Sequence, residues 1–168
     1  MIAVRMKRLL PLVLVLLGLT SAVGAQTLRI TNGPTAVALS AQDIAAMPHV
    51  TVEAYDTHEK STHQYTGVAA QAILEKAGVV FGEKLRGRAL GTVVLAHAAD
   101  GYAIAFALAE FDPAFRKEAI LLVDRQDGQP LPSGMGPYRL MCPGDARPAR
   151  WVRMLAWLEI VPPAAPKP

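Results

Sequence analysis

Cysteine is the scarcest reactive residue in this chain of 168 residues, which contains only Cys142. One thiol cannot form a disulfide bridge within the chain, so packing and hydrogen bonds must hold the fold together. A lone cysteine in an oxidising compartment is expected to be buried, where it behaves as a small apolar side chain. We therefore predict a buried, structural Cys142.

Long apolar runs are absent from the sequence apart from residues 9–19. That run follows Arg5, Lys7 and Arg8 and precedes the small residues 21–25, which is the layout of a secretory signal peptide. The alternative is a transmembrane anchor, but a spanning helix needs about 20 apolar residues. We predict a signal peptide at residues 1–25, a domain at 26–161, a disordered Pro-rich tail at 162–168, and a periplasmic or secreted location.

An excess of basic charge is also missing once the predicted signal peptide is removed. The chain has 17 Lys and Arg residues and 14 Asp and Glu residues, and the first 25 residues hold three of the basic ones and no acidic one. The mature domain would therefore carry 14 of each sign. A near-neutral domain lacks the basic surface on which nucleic-acid binding depends. This excludes nucleic acid as an expected partner.

Motifs of several enzyme classes are missing. The sequence has no Gly-rich phosphate loop of the P-loop or Rossmann type and no nucleophile-elbow pattern, and its spacings indicate no Ser/His/Asp triad. His58 and His63 are five positions apart, which does not match a firm metal-ligand spacing. We therefore predict neither a nucleotide-binding enzyme, nor a hydrolase, nor a protein-ligated metal site.

Short alternating segments separated by turn residues are what the sequence does contain, and they predict a single α+β domain rich in strands. A helix is expected after Ser40 as N-cap, a second over residues 69–77 with Gly78 as its C-terminal cap, and a short third over residues 151–155. The polar segment 56–64 is expected to lie outside the strands. Strands are predicted near residues 27–32, 37–39, 49–55, 93–95, 102–106, 120–123, 139–142 and 158–161.

Several blocks of the sequence resemble the oxidoreductase molybdopterin-binding domain of sulfite-oxidase-like enzymes. Their order and spacing over about residues 27–161 carry the resemblance, which implies that family's mixed, β-rich α+β fold. The blocks are Tyr65-Thr66-Gly67-Val68 with Ile73-Leu74-Glu75-Lys76-Ala77-Gly78, Asp100-Gly101-Tyr102, Asp127-Gly128-Gln129-Pro130-Leu131, Gly136-Pro137-Tyr138-Arg139-Leu140, Pro143-Gly144, and Arg150-Trp151-Val152.

One departure from the family pattern shapes the functional expectation. Enzymes of this family bind molybdenum through a cysteine thiolate placed after the strand predicted here at residues 49–55, yet residues 53–63 contain no cysteine. No other side chain replaces a soft thiolate without changing the coordination and redox behaviour of the metal. The resemblance therefore implies a periplasmic module that binds a pterin or similar planar heterocycle, and it suggests a role as a ligand sensor for a membrane-bound signalling protein.

Two alternatives stay open: a molybdopterin-dependent oxidoreductase with altered metal ligation, and a protein–protein module whose pocket has closed. No cofactor is firmly predicted; a pterin-type ligand is expected, with molybdopterin as the alternative.

Seven residues are candidate ligand contacts, and each has an ordinary structural alternative. The resemblance places Arg139 and Arg150 where the family holds the phosphate or polar edge of its pterin, a role that suits the donor fork of a guanidinium. An aromatic ring at Trp151 or Tyr102 would stack on a flat ligand, or Trp151 would pack in the core. Asp100 would pair with the exocyclic amine and ring nitrogen of a pterin, or form a plain Asp-Gly turn. His58 and His63 would line the mouth of the pocket, or lie on a solvated loop.

Overall fold

Alternating strands build two sheets in the computed structural model, which describes residues 27–165. The predicted signal peptide and residues 166–168 lie outside the described residues. One-turn 3-10 segments span Gly82–Lys84, Gly87–Gly91, Leu108–Phe111 and Pro148–Arg150. The helices and strands are β1 (Thr27–Asn32), β2 (Thr35–Ser40), α1 (Ala41–Ala45), β3 (His49–Asp56), β4 (Ser61–Ala69), α2 (Ala70–Glu75), β5 (Val93–Ala98), β6 (Ala103–Ala107), β7 (Leu121–Gln126), β8 (Gln129–Pro130), β9 (Arg139–Met141) and β10 (Leu155–Val161).

The first sheet joins the two ends of the described chain. Its order is β2-β1-β10-β5-β6, in which β1 and β10 run parallel and the other neighbours antiparallel. Leu28 and Ile30 of β1 are fully buried while Arg29 between them is exposed, as the alternation predicts. Beyond β10, Arg88 Nη2 donates a hydrogen bond to the Ala164 carbonyl at 2.9 Å, so part of the predicted tail contacts the domain.

The second sheet has the order β3-β4-β7-β8, with β9 paired to the other end of β7. The expectation that residues 56–64 lie outside the strands is wrong for most of that segment, because β3 and β4 form a hairpin paired from His49–Val68 to Asp56–Ser61. Polar side chains cover this end of the hairpin, so hydrophobic alternation does not mark it. Gly67 is required in β4, since a Cβ atom there would overlap the Leu122 carbonyl of the neighbouring strand.

Helices are brief, and the predicted third helix is absent from the described residues. At α1 the Ser40 hydroxyl accepts from the Asp43 backbone N–H and the Asp43 carboxylate accepts from the Ser40 backbone N–H, a reciprocal cap that confirms the predicted start. The helix expected over residues 151–155 is wrong. Val152 exchanges backbone hydrogen bonds with Leu140, and Leu155 already begins β10, so the apolar spacing there reflects core packing of an extended segment.

One hydrophobic cluster contains buried side chains from both sheets and from α2. Tyr65 and Phe106 are its largest fully buried side chains, and Cys142 is fully buried as predicted. Burial raises the pKa of the Cys142 thiol to about 12, which keeps the sulfur protonated and unreactive. The architecture is the mixed, β-rich α+β fold expected from the sequence. None of the helices in the described part of the chain is long and apolar enough to cross a membrane.

Candidate functional site

A cleft of about 580 Å³ opens where the ends of both sheets meet. Five of the seven predicted ligand contacts lie in it, whereas Arg150 and His63 do not. The residues that line this cleft are Asp56, His58, Asp100, Tyr102, Met135, Arg139, Pro148, Ala149, Trp151 and Arg153.

A wider depression of about 780 Å³ lies beside α2, between that helix and residues 79–84. Its buried carboxylate, Asp112, is already occupied by the backbone N–H groups of Gly82 at 2.6 Å and Ala114 at 2.9 Å. The smaller cleft, by contrast, contains a buried ion pair and aromatic rings from separate elements. We therefore place the candidate site in the smaller cleft.

The floor of the cleft is a buried ion pair. Asp56 closes β3 and Arg139 opens β9, and their side chains are 1% and 5% exposed. Arg139 Nη2 donates to Asp56 Oδ2 at 3.3 Å. The guanidinium carbon also lies 4.9 Å from the ring centroid of Trp151 and 5.9 Å from that of Tyr65, so two aromatic faces share the cation. This arrangement fixes the orientation of the Arg139 fork.

Asp56 is held as a carboxylate in this floor. Burial on its own raises the pKa, but the backbone N–H of His58, the charge of Arg139 and the backbone N–H of Glu59 outweigh it and leave the pKa below its ordinary value. The two N–H groups reach Oδ1 at 2.8 and 3.4 Å, within the tight turn that joins β3 to β4. His58 thus contributes its backbone to the site as well as a side chain to the lining.

Hydrogen-bond donors at the floor outnumber the acceptors. Arg139 Nε, Arg139 Nη1 and the Tyr65 hydroxyl are buried and have no hydrogen-bond partner among the described residues. Arginine carries five N–H donors and no acceptor, so Asp56 engages only part of its capacity. A buried donor left without an acceptor costs about 1–3 kcal/mol, so these three groups are the least satisfied polar atoms around the cleft.

The rim of the cleft is formed by the β5–β6 turn and the segment before β10. Asp100 Oδ1 accepts from the Tyr102 backbone N–H at 3.0 Å, which is the Asp-Gly turn considered as its ordinary role, while Oδ2 lies 3.5 Å from Arg153 Nη2. The Tyr102 hydroxyl donates to the Ala149 carbonyl at 2.8 Å, which anchors a half-exposed ring over the opening.

Trp151 packs in the core and also lines the cleft. It is 6% exposed and belongs to the core cluster, and its indole N–H donates to the Cys142 carbonyl at 2.9 Å. Its ring is nevertheless part of the cleft lining and stacks over the Arg139 guanidinium. The core contacts therefore fix the ring that a ligand would meet.

Arg150 lies outside the cleft, in a dense cluster of opposite charges. Its guanidinium makes two bonds of 2.8 Å to the Asp145 carboxylate and one of 2.9 Å to Glu110, and Arg116 bridges the same two acids. Hydrogen bonds from Arg150 are the main reason that the pKa of Asp145 lies below its ordinary value. Both acids already have cationic partners, so this cluster holds two loops together.

His63 also lies outside the cleft, on β4. Its Nδ1 is 2.7 Å from Asp127 Oδ2, and its Nε2 is 2.7 Å from Ser61 Oγ and 2.8 Å from Glu59 Oε2. The hydrogen bond to Asp127 is the main cause of a raised pKa for His63. The Ser61, His63 and Asp127 distances match a hydrolase triad, but Glu59 competes for the nitrogen that would deprotonate Ser61 and favours a cationic ring that cannot act as a base.

Two residues of the site were missing from the predicted contacts: Asp56, which lines the cleft, and Tyr65, which lies buried beside Arg139. Asp56 ends the strand after which the family carries its metal-binding cysteine, and that position was the available clue. Tyr65 stands within the family-like block at residues 65–68, but nothing in its spacing distinguishes a core tyrosine from one beneath a site.

The residues present do not fit the molybdenum ligand that the family resemblance implies. None of the side chains lining the cleft is a thiol, and the only cysteine of the chain, Cys142, is fully buried with a pKa of about 12. Molybdenum prefers a soft thiolate here, and carboxylate or imidazole groups do not reproduce one. The guanidinium and aromatic rings of the cleft do fit the organic part of such a cofactor, a planar heterocycle with polar edges.

Comparison with known proteins gives the family. Residues 25–167 match the model of the oxidoreductase molybdopterin binding domain. Among solved structures, the fold is similar to the sulfane dehydrogenase SoxCD from Paracoccus pantotrophus, with a TM-score of 0.61 and 20% identity over 80% of this chain. The match spans 37% of the SoxCD chain, and no curated protein sequence matches. The chain therefore belongs to the oxidoreductase molybdopterin-binding domain family.

Proposed function

We propose that this domain binds a pterin or a related planar heterocycle in the cleft, without molybdenum. The observation that carries the proposal is the Arg139 guanidinium, which lines the cleft, is buried beside the rings of Tyr65 and Trp151, and has two nitrogens without an acceptor among the described residues. A flat ligand can stack against the aromatic groups at the opening while its polar edge meets the Arg139 side chain in the cleft lining. The missing thiolate supports binding rather than oxotransfer.

The competing function is a molybdopterin-dependent oxidoreductase, which family membership favours and the cleft chemistry opposes. When bound, molybdopterin supplies a redox-active metal for oxygen-atom transfer. The residues of this chain would hold only its pterin ring and phosphate, at Arg139 and the aromatic lining. The two functions differ in whether metal accompanies the ring.

The test is to purify the protein from the cells that make it, release small molecules by heat, and identify them by mass spectrometry. Molybdenum is measured on the same sample. We expect a pterin-type molecule and no stoichiometric metal. Molybdenum near one equivalent would overturn the metal-free assignment. A protein that carries nothing and ignores added pterins would overturn ligand binding itself and favour a protein–protein module.

We also propose that the mature domain acts in the periplasm and reports ligand occupancy to a membrane-bound signalling protein. The basic and apolar layout of residues 5–25 supports the location, and the family resemblance of a chain that lacks the metal-binding cysteine supports the role. Cell fractionation with N-terminal sequencing tests the location, with Gln26 expected as the first residue. An uncleaved chain in the cytoplasmic fraction would contradict it.

A further inference from the structure

The outer face of the first sheet, the side turned away from the core, is unusually apolar. Inward side chains such as Leu28 and Leu158 are fully buried, and the alternate side chains of each strand form the outer face. Outer positions of a sheet commonly carry polar residues, as Thr51, Glu53 and Gln64 do on the second sheet. On the first sheet they are mainly apolar, and none of them is buried, so no element of the described chain covers them.

Small side chains and one large ring make up much of this face. The edge strand β6 contributes Ala103, Ala105 and Ala107, all of them exposed. On the central strand β10, Trp157 is 36% exposed, and its ring stacks on the His97 imidazole with centroids 4.2 Å apart. A contiguous apolar patch with an aromatic residue near its centre is typical of a protein–protein interface.

Two opposite charges lie at diagonal positions near the middle of the face. Arg29 of β1 is in register with Trp157 of β10, and Glu159 is two residues further along β10. Arg29 makes no ion pair with any described residue. The Glu159 side chain is 45% exposed and has only the His97 imidazole beside it, at 3.1 Å. Both charges can therefore take a partner from outside the chain.

We infer that the outer face of the first sheet joins two copies of this chain in a symmetric dimer. A surface that packs on its own copy must be complementary to itself under a two-fold axis. An axis in the plane of the face, midway between Arg29 and Glu159 and perpendicular to the line joining them, meets this condition. It sets Arg29 of each copy opposite Glu159 of the other, and it packs the apolar positions around them together. This association does not depend on what the cleft binds.

The size of the face sets the strength to expect. Strands lie about 4.8 Å apart and rise about 3.4 Å per residue, so five strands with three outward positions each give about 24 by 20 Å. Two such faces bury about 1,000 Å² in total, which is near the lower limit for a specific interface. We therefore expect a reversible dimer with a dissociation constant in the micromolar range.

Sedimentation velocity of the purified protein from about 1 to 200 μM measures this association, since the range brackets the affinity of a small interface. We expect Arg29→Glu and Glu159→Arg each to weaken the dimer about tenfold or more, because each variant sets two pairs of like charges against one another. An equimolar mixture of the two variants is expected to associate within about threefold of the parent, because both contacts across the mixed dimer then join opposite charges.

Arg125→Glu is the matched control, an equal charge reversal at an exposed position of the second sheet, and it is expected to leave the association unchanged. Circular dichroism of each variant separates loss of association from loss of the fold. A parent protein that stays monomeric throughout the concentration range would overturn the inference. Dimers that tolerate both charge reversals, or single variants that mixing fails to rescue, would also overturn it, because Arg29 and Glu159 would then not face each other across the interface.

Discussion

Arg139 and Arg150 were predicted from sequence to hold the same ligand, yet they lie in contrasting surroundings. Arg139 is 5% exposed and has one carboxylate partner, with two nitrogens unpaired among the described residues. Arg150 is 34% exposed and has two carboxylate partners, which it shares with Arg116. Residue type therefore does not identify a binding arginine. The two arginines differ in the donor capacity that the protein itself leaves unused.

The largest effect is expected at the buried pair. Arg139→Ala leaves Asp56 as an uncompensated buried carboxylate, so we expect the free energy of unfolding to fall by about 3 kcal/mol and pterin binding to be lost. Urea denaturation measures the first and fluorescence titration the second. The double variant Asp56→Ala/Arg139→Ala removes both charges and is expected to regain part of the stability but none of the binding. If Arg139→Ala is as stable as the parent protein, the buried ion pair does not stabilise the fold as we expect.

Arg150→Ala is the matched change in the other cluster and is expected to have a smaller effect. Arg116 stays within 3.1 Å of Asp145 and 3.3 Å of Glu110, so neither acid loses its only cation. We expect the free energy of unfolding to fall by about 1 kcal/mol, as for a partly exposed ion pair, with pterin affinity unchanged. A large loss of affinity in this variant would place Arg150 in ligand binding after all and remove the contrast between the two arginines.

Part of this contrast could be read from the sequence and part could not. Alternation of apolar residues was enough for β1, β5 and β6, and the family-like blocks contain four of the five candidate residues that share one cleft. The acidic partners of the two arginines could not be predicted from these sequence patterns. Asp56 is 83 positions from Arg139, and Glu110 is 40 positions from Arg150, so only the folded topology decides which arginine meets how many acids.

The two wrong predictions about secondary structure have the same cause. Residues 61–64 form part of β4, but their side chains are polar because this end of the hairpin meets solvent and Asp127 rather than the core. Residues 151–155 have apolar positions spaced as in a helix, but Val152 pairs with Leu140 across the sheet. In both places tertiary pairing overrides the local pattern, which periodicity alone cannot anticipate.

Tyr102 offers an intermediate effect, confined to the cleft. Its ring is half-exposed at the rim and anchored by a hydrogen bond to the Ala149 carbonyl. Tyr102→Ala removes a stacking face, so we expect pterin to bind about fivefold more weakly, which corresponds to about 1 kcal/mol. Tyr102→Phe keeps the face and is expected to bind within about twofold of the parent. Equal losses in both variants would mean that the hydroxyl, not the ring, is what the ligand needs.

The smallest effect concerns the pH dependence contributed by His63, outside the cleft. Asp127 and Glu59 flank the imidazole, with Ser61 and the Tyr65 ring beside it, and the raised pKa means that the folded state binds its proton more tightly than the unfolded chain does. This stabilisation is complete below the unfolded pKa of about 6.5 and is lost as the pH rises through the folded value.

We therefore expect the free energy of unfolding to decline slightly as the pH rises from about 6 to 9, and this decline to be absent in His63→Gln. Urea denaturation across the range measures both slopes, and their difference isolates His63 from other titrating groups. Asp127→Asn removes the principal partner and is expected to reduce the slope while leaving pterin affinity unchanged, because the cluster holds the hairpin turn and does not line the cleft. Parallel curves for parent and His63→Gln would show that the imidazole gains no net proton affinity on folding.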